Sequence, residues 1–158
     1  MTYLFLCATI EQREAIVISN TIEETRELML DFAKLDSVSG VIPVAVQDAR
    51  TREVLLIAYT NELALRETQR TRQLVLWSTS RNSLWRKGAA ESGNGFAVEE
   101  IRVNCEQNSL VYLVTPMRGG MCHTRDAQGE LRRGCYYRRV DWDSGALEVE
   151  EGEDNGLY

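Results

Sequence analysis

The sequence predicts an α+β fold, rich in β-structure and carried by one domain with few helices. Three observations point there. At 158 residues the chain can bury a core without covalent staples. Its 44% hydrophobic and 27% charged residues are those of a globular protein, not a disordered one. Most of its apolar segments are short runs bounded by turn residues, and only two stretches carry helix signals. No internal repeat or linker divides the chain.

Residues 1–20 alternate loosely, with Tyr3, Phe5, Ala15 and Val17 apolar, and suit a hairpin across Glu11-Gln12-Arg13. Thr21-Ile22-Glu23-Glu24 is a capping box, so a helix is expected from Thr21, with Ile22, Leu28, Leu30, Phe32 and Leu35 on its apolar side. Gly40 breaks the pattern. Val41 to Gln47 and Val54 to Tyr59 then read as strands joined by the polar turn 48–52. Asn61 is a helix cap for residues 61–68, because its side chain can accept from the first free backbone N–H groups. Leu74 to Ser78 reads as a strand, and Thr79 to Gly95 as a long polar loop, a type of segment that is often functional. Glu100 to Glu106 and Leu110 to Thr115 suit a hairpin turning at Gln107-Asn108-Ser109, and Tyr136 to Asp141 a last strand. The tail from Asp143, with Glu148, Glu150, Glu151, Glu153 and Asp154, is expected to fray.

A net charge of −6 argues against a general nucleic-acid binder, since phosphate backbones reward basic surfaces. It leaves room for a small phosphorylated substrate held by local cations. The apolar run Tyr3 to Ala8 is too short to span a bilayer, and no basic segment precedes it as in a secretory signal. No membrane association is expected, and reduced thiols in the cytoplasm are.

Three of the four cysteines and the only histidine fall close together: Cys105, Cys122 with His123, and Cys135. Three thiolates with one open position would make a catalytic zinc site, and an adjacent imidazole can move protons near neutral pH. The spacings, sixteen residues and then twelve, match no short zinc signature, so buried structural thiols are the competing reading. The polar loop is equally two-sided. Ser80, Arg81, Lys87, Ser92, Gly93 and Asn94 offer the hydroxyls, cations and exposed amides that replace a phosphate's water shell. The same residues also suit a solvated surface loop, with Trp77 and Trp85 packed inward.

Taken in order, Gly40-Val41-Ile42-Pro43-Val44-Ala45-Val46-Gln47-Asp48, Glu53 to Tyr59 with Asn61-Glu62, Trp77-Ser78-Thr79-Ser80-Arg81, and Leu84-Trp85-Arg86-Lys87-Gly88 resemble the phosphoribosyl-AMP cyclohydrolases. Ser92-Gly93-Asn94, Cys105, Cys122-His123-Thr124 and Cys135-Tyr136-Tyr137-Arg138 complete the series. The resemblance covers residues 39–139. It implies hydrolytic opening, between N1 and C6, of the purine ring of N1-(5-phosphoribosyl)-AMP, the third step of histidine biosynthesis. It also implies an intertwined homodimer with the metal site at its interface, Cys105 from one subunit and Cys122 and Cys135 from the other holding zinc. His123 would act as general base, because three thiolates leave zinc a weak Lewis acid. The stretch after Arg139 is too short for the pyrophosphohydrolase domain sometimes fused to this family, so one activity is expected.

The chain departs from the family in several places. A second, magnesium site uses aspartates in an Asp-Cys-Asp-x-Asp motif, and here the positions are Asn104, Glu106 and Asn108, with one carboxylate among them. Mg²⁺ binding should weaken accordingly. The Cys122–Cys135 spacing is longer than the family's and suits a polar hairpin extension, which costs little closure entropy. The loop 88–92 is also longer, with Glu91 near the phosphate ligands. Residues 1–38 form an extension without a family counterpart, and 142–158 an acidic tail. Cys7 lies outside every motif and reads as a buried thiol. These departures keep two alternatives open: a paralogue hydrolysing another purine-like nucleotide, or a non-catalytic zinc- and nucleotide-binding homologue.

Overall fold

The computed structural model describes residue 30 and residues 40–87, 95–117 and 120–149. The expected hairpin over 1–20, nearly all of the helix from Thr21, Cys7, the residues Ser92, Gly93 and Asn94, and the end of the acidic tail lie outside the described residues.

The chain builds a six-stranded sheet from β1 (Ile42–Asp48), β2 (Val54–Thr60), β3 (Val75–Ser78), β4 (Ser83–Arg86), β5 (Phe96–Val103) and β6 (Leu110–Pro116), in the spatial order β4-β3-β2-β1-β6-β5. Neighbours are antiparallel except β1 and β6, which run parallel with Val44 level with Leu110. β1 shows the alternation expected of a strand: Ile42, Val44 and Val46 are buried while Pro43, Ala45 and Gln47 are half-buried. With Leu55, Leu74, Leu76, Phe96, Val98, Leu110, Tyr112 and Val114 they form one continuous core.

One helix, α1 (Glu62–Thr71), joins β2 to β3. Asn61 caps it as expected, its Oδ1 accepting from the Ala64 N–H at 2.9 Å. The helix runs past residue 68 and stops where Arg72 adopts a left-handed conformation. Ala64, Leu65 and Thr68 face the sheet. The Thr68 hydroxyl donates to Val75 O at 2.9 Å and accepts from its N–H at 3.2 Å, tying the helix to β3.

Bonds from Leu74 N–H to Phe96 O and from Val98 N–H to Arg72 O, both 2.9 Å, bring the start of β5 round to the segment entering β3. The sheet therefore curls on itself, and its two ends enclose the core.

Three expectations need correction. The polar stretch after Ser78 contains strand β4, hairpinned to β3 with Leu76 opposite Trp85. β5 begins at Phe96, earlier than expected, and the turn to β6 occupies Asn104–Ser109. Beyond Arg138 the tail does not fray at once: β7 (Arg138–Val140) pairs with β8 (Leu147–Val149). Its turn is held by Asp141, whose carboxylate accepts from the Ser144 N–H and hydroxyl at 2.7 and 2.6 Å. No helix among the described residues is long and apolar enough to cross a membrane.

Candidate active site

Two short arms beside the sheet carry Cys122 and Cys135, two of the three cysteines that sequence singled out. The arm 120–122 runs against 132–133, with the Met121 N–H donating to Arg133 O at 2.8 Å and the Cys122 N–H to Arg132 O at 3.0 Å. A Cβ on Gly120 would stand 2.2 Å from Arg132 O, so this close approach requires glycine. Between the arms the extra residues form the expected polar hairpin: Arg125 bridges Leu131, and Asp126 Oδ1 accepts from the N–H groups of Gln128 and Glu130.

The second arm hangs from the sheet. The Cys135 N–H donates to Leu55 O of β2 at 2.8 Å. The Arg133 guanidinium reaches Asp48 Oδ2 at 3.0 Å, the Thr51 hydroxyl at 2.7 Å and Glu53 Oε2 at 2.7 Å. Asp48 is itself fixed, its Oδ1 accepting from the N–H groups of Arg50 and Thr51 at 2.8 and 2.9 Å.

This framework holds the Cys122 and Cys135 thiols close enough for each to feel the other's charge. Burial pushes the Cys122 thiol up, but the Thr124 hydroxyl at 2.9 Å, the Thr124 N–H at 3.4 Å, the Cys135 thiol and the Lys87 ammonium outweigh it, leaving Cys122 below the usual thiol range. Cys135 is pushed up, first by burial and then by the charge and hydrogen bond of Cys122, with Lys87 opposing. Two soft donors held together, one already inclined to lose its proton, suit a thiophilic cation such as Zn²⁺.

Lys87 links this pair to a cleft of about 260 Å³ whose walls include Tyr59, Trp77, Ser78, Ser80, Arg81 and Trp85. The Lys87 ammonium lies 5.2 Å and the Arg81 guanidinium 5.9 Å from the centre of the Trp85 ring. Ser80, Arg81 and Lys87 of the expected phosphate loop thus gather around one indole, near the thiols. An aromatic wall flanked by cations can stack a purine and hold its phosphates.

Cys105 and His123 complete the set of candidates. His123 is exposed beside Cys122, and Cys105 is exposed in the β5–β6 turn. That turn lies beyond Leu110, level with Val44 of β1, whereas Cys135 hangs from Leu55, close to Val46 and Gln47. Among the described residues of one chain, no three Cys, His, Asp or Glu side chains gather as a metal-ligand group. Asn104, Glu106 and Asn108 share the Cys105 turn and bond to one another.

Sequence reasoning gave no role to Tyr59, Thr124 or Arg133, and its competing reading of the polar loop packed Trp77 and Trp85 inward; Trp85 does pack against the core and also walls the cleft. The flanking cations of Arg81 and Lys87 were a signal for Trp85. For the pairing of Arg133 with Asp48, 85 residues apart, there was none.

Residues 56–137 match the sequence model of phosphoribosyl-AMP cyclohydrolase. The chain belongs to the phosphoribosyl-AMP cyclohydrolase family. A relative so named from Sphingopyxis alaskensis is 40% identical over 123 residues, covering 78% of this chain and 91% of that protein. One from Archaeoglobus fulgidus is 44% identical over 104 residues, covering 66% of this chain and 89% of its own. The histidine biosynthesis bifunctional protein HisIE of Thermus thermophilus is 48% identical over 101 residues, 64% of this chain and 44% of that protein. The family span contains the cleft, both thiol arms and the Cys105 turn, and ends just before β7.

Proposed function

We propose that this chain hydrolyses N1-(5-phosphoribosyl)-AMP, opening the purine ring between N1 and C6 in histidine biosynthesis. The observation that carries the reading is the meeting of Cys122 and Cys135 beside Lys87 and the Trp85 cleft, in a chain of this family.

Each part of the site has a task. The cleft stacks the base on Trp85, while Ser80, Arg81 and Lys87 bind phosphate oxygens, with Ser92, Gly93 and Asn94 assigned to the same duty by resemblance. Alkylation at N1 leaves positive charge on the ring and makes C6 electrophilic. Cys122 and Cys135, with Cys105 supplied by a second copy in an intertwined homodimer, would hold zinc, which when bound lowers the pKa of water and so supplies the nucleophile. His123 accepts the proton released as oxygen bonds to C6. It returns a proton to the ring nitrogen as the N1–C6 bond breaks. The setting is cytoplasmic, where the thiols stay reduced.

The test is turnover of N1-(5-phosphoribosyl)-AMP by metal-quantified protein, followed as loss of substrate. Rates that track one zinc per chain are expected, as is rescue of a histidine auxotroph blocked at this step. Zinc-loaded protein that binds the nucleotide without opening it would overturn the reading.

A further inference from the structure

The β5–β6 turn is where the family places its second cation, and its side chains are already committed to one another. Asn104 Oδ1 accepts from the backbone N–H groups of Asn108 and Ser109, both at 3.0 Å. Two donors facing one atom settle the amide orientation: the oxygen faces the backbone and Nδ2 points away from it. That Nδ2 donates to Asn108 Oδ1 at 2.8 Å. Asn108 is oriented in turn, and its own Nδ2 donates to Glu106 Oε2 at 2.8 Å.

The consequence for a cation follows from the chemistry of the amide. A carboxylate at 104 could cap the same two N–H groups with one oxygen and present the other, charged, to a metal. An amide has no second oxygen. Its remaining atom is an N–H donor, which repels a cation and satisfies an oxygen instead. The NH₂ group of Asn108 is likewise a donor, spent on Glu106 Oε2. Mg²⁺ asks for a near-octahedral set of oxygens and sheds its waters reluctantly. The three positions offer it one charged side chain, Glu106, with one oxygen already engaged.

We infer that this turn has exchanged the family's second cation for an amide relay, Asn104 to Asn108 to Glu106, which shapes the loop carrying Cys105 and leaves the enzyme independent of magnesium. The inference rests on the family assignment, but it concerns binding at the turn and is read without substrate.

The experiment uses the whole zinc-loaded protein and Mn²⁺ as the probe for Mg²⁺, with free Mn²⁺ followed by electron paramagnetic resonance. The wild type is expected to show no saturable Mn²⁺ site up to millimolar concentration. The N104D/N108D variant is expected to gain one, at least about tenfold tighter, and E106Q on that background to lose it. The single variant Asn104→Asp serves if the double variant does not fold, with the same gain expected in smaller measure. Stoichiometric Mn²⁺ binding by the wild type that Glu106→Gln abolishes would overturn the inference. So would folded aspartate variants that gain no site. Turnover in buffer freed of magnesium should match that with magnesium to within about twofold, and a larger drop would likewise overturn it.

Discussion

Tyr112 carries the largest fully buried side chain of the core, and its hydroxyl has no hydrogen-bond partner of good geometry among the described residues. Burial pushes its pKa up to about 12, against the opposing pull of the Thr60 and Thr68 hydroxyls beside it. An unsatisfied buried hydroxyl is a cost, so Tyr112→Phe should be neutral or raise stability by up to about 1 kcal/mol in urea unfolding. A loss well beyond that would mean the hydroxyl bonds more strongly than its geometry indicates. His123 calls for the opposite experiment. It is exposed and sits beside a buried thiol, so its replacement should leave the fold alone. As the proposed base, His123→Ala should cut kcat by about a hundredfold or more while zinc content stays unchanged. If zinc left together with activity, the imidazole would be a ligand instead.

At the scale of elements, the thiol arm depends on a tether that no local pattern announces. Asp48 closes the β1–β2 turn and receives Arg133, so the same carboxylate shapes the turn and positions the arm ending in Cys135. Burial pushes the Asp48 carboxyl up, but the Thr51 and Arg50 N–H groups, the Arg133 guanidinium and the Thr51 hydroxyl outweigh it and hold it below the usual carboxylate range. A depressed folded pKa adds stability above the unfolded-state value near 4 and loses it as pH falls through the folded one. Urea melts should therefore weaken in that acid window, and Asp48→Asn should flatten this part of the slope. Asp48→Ala should cost about 1–2 kcal/mol near neutrality through the lost turn bonds. Arg133→Met should weaken zinc affinity more than it lowers global stability, because the arm loosens while the core stays packed. Equal losses in both would mean the arm is simply part of the core. Elements with their own signal were legible in the sequence: the Asn61 cap, the run of β1 between Gly40 and the polar turn, and that turn before β2. β4 was not, because Ser83-Leu84-Trp85-Arg86 has too few residues to display a period among polar neighbours, and its pairing with β3 decides it. β8 was hidden by acidic residues that face solvent on a hairpin exposed along its length.

On the scale of the whole molecule, the fold divides the three described cysteines between two places. Cys122 and Cys135 sit on adjoining arms near enough to interact, while Cys105 sits on a turn beyond the Leu110 end of β6, and no group of three ligands forms among the described residues of one chain. Motif order in the sequence could nominate all three residues. It could not say which of them meet, since that depends on strand register and curl. The proposed two-subunit site makes a sharp prediction. Cys105→Ser and Cys135→Ser should each abolish zinc binding and turnover as pure homodimers. Unfolded together and refolded in equal amounts, the two variants form mixed dimers in which Cys105 of the second variant meets the intact Cys122–Cys135 pair of the first. Random pairing makes half the dimers mixed with one good site each, so about a quarter of wild-type zinc and turnover should return. A chain that assembled its three thiolates by itself would recover nothing on mixing, because neither variant has all three.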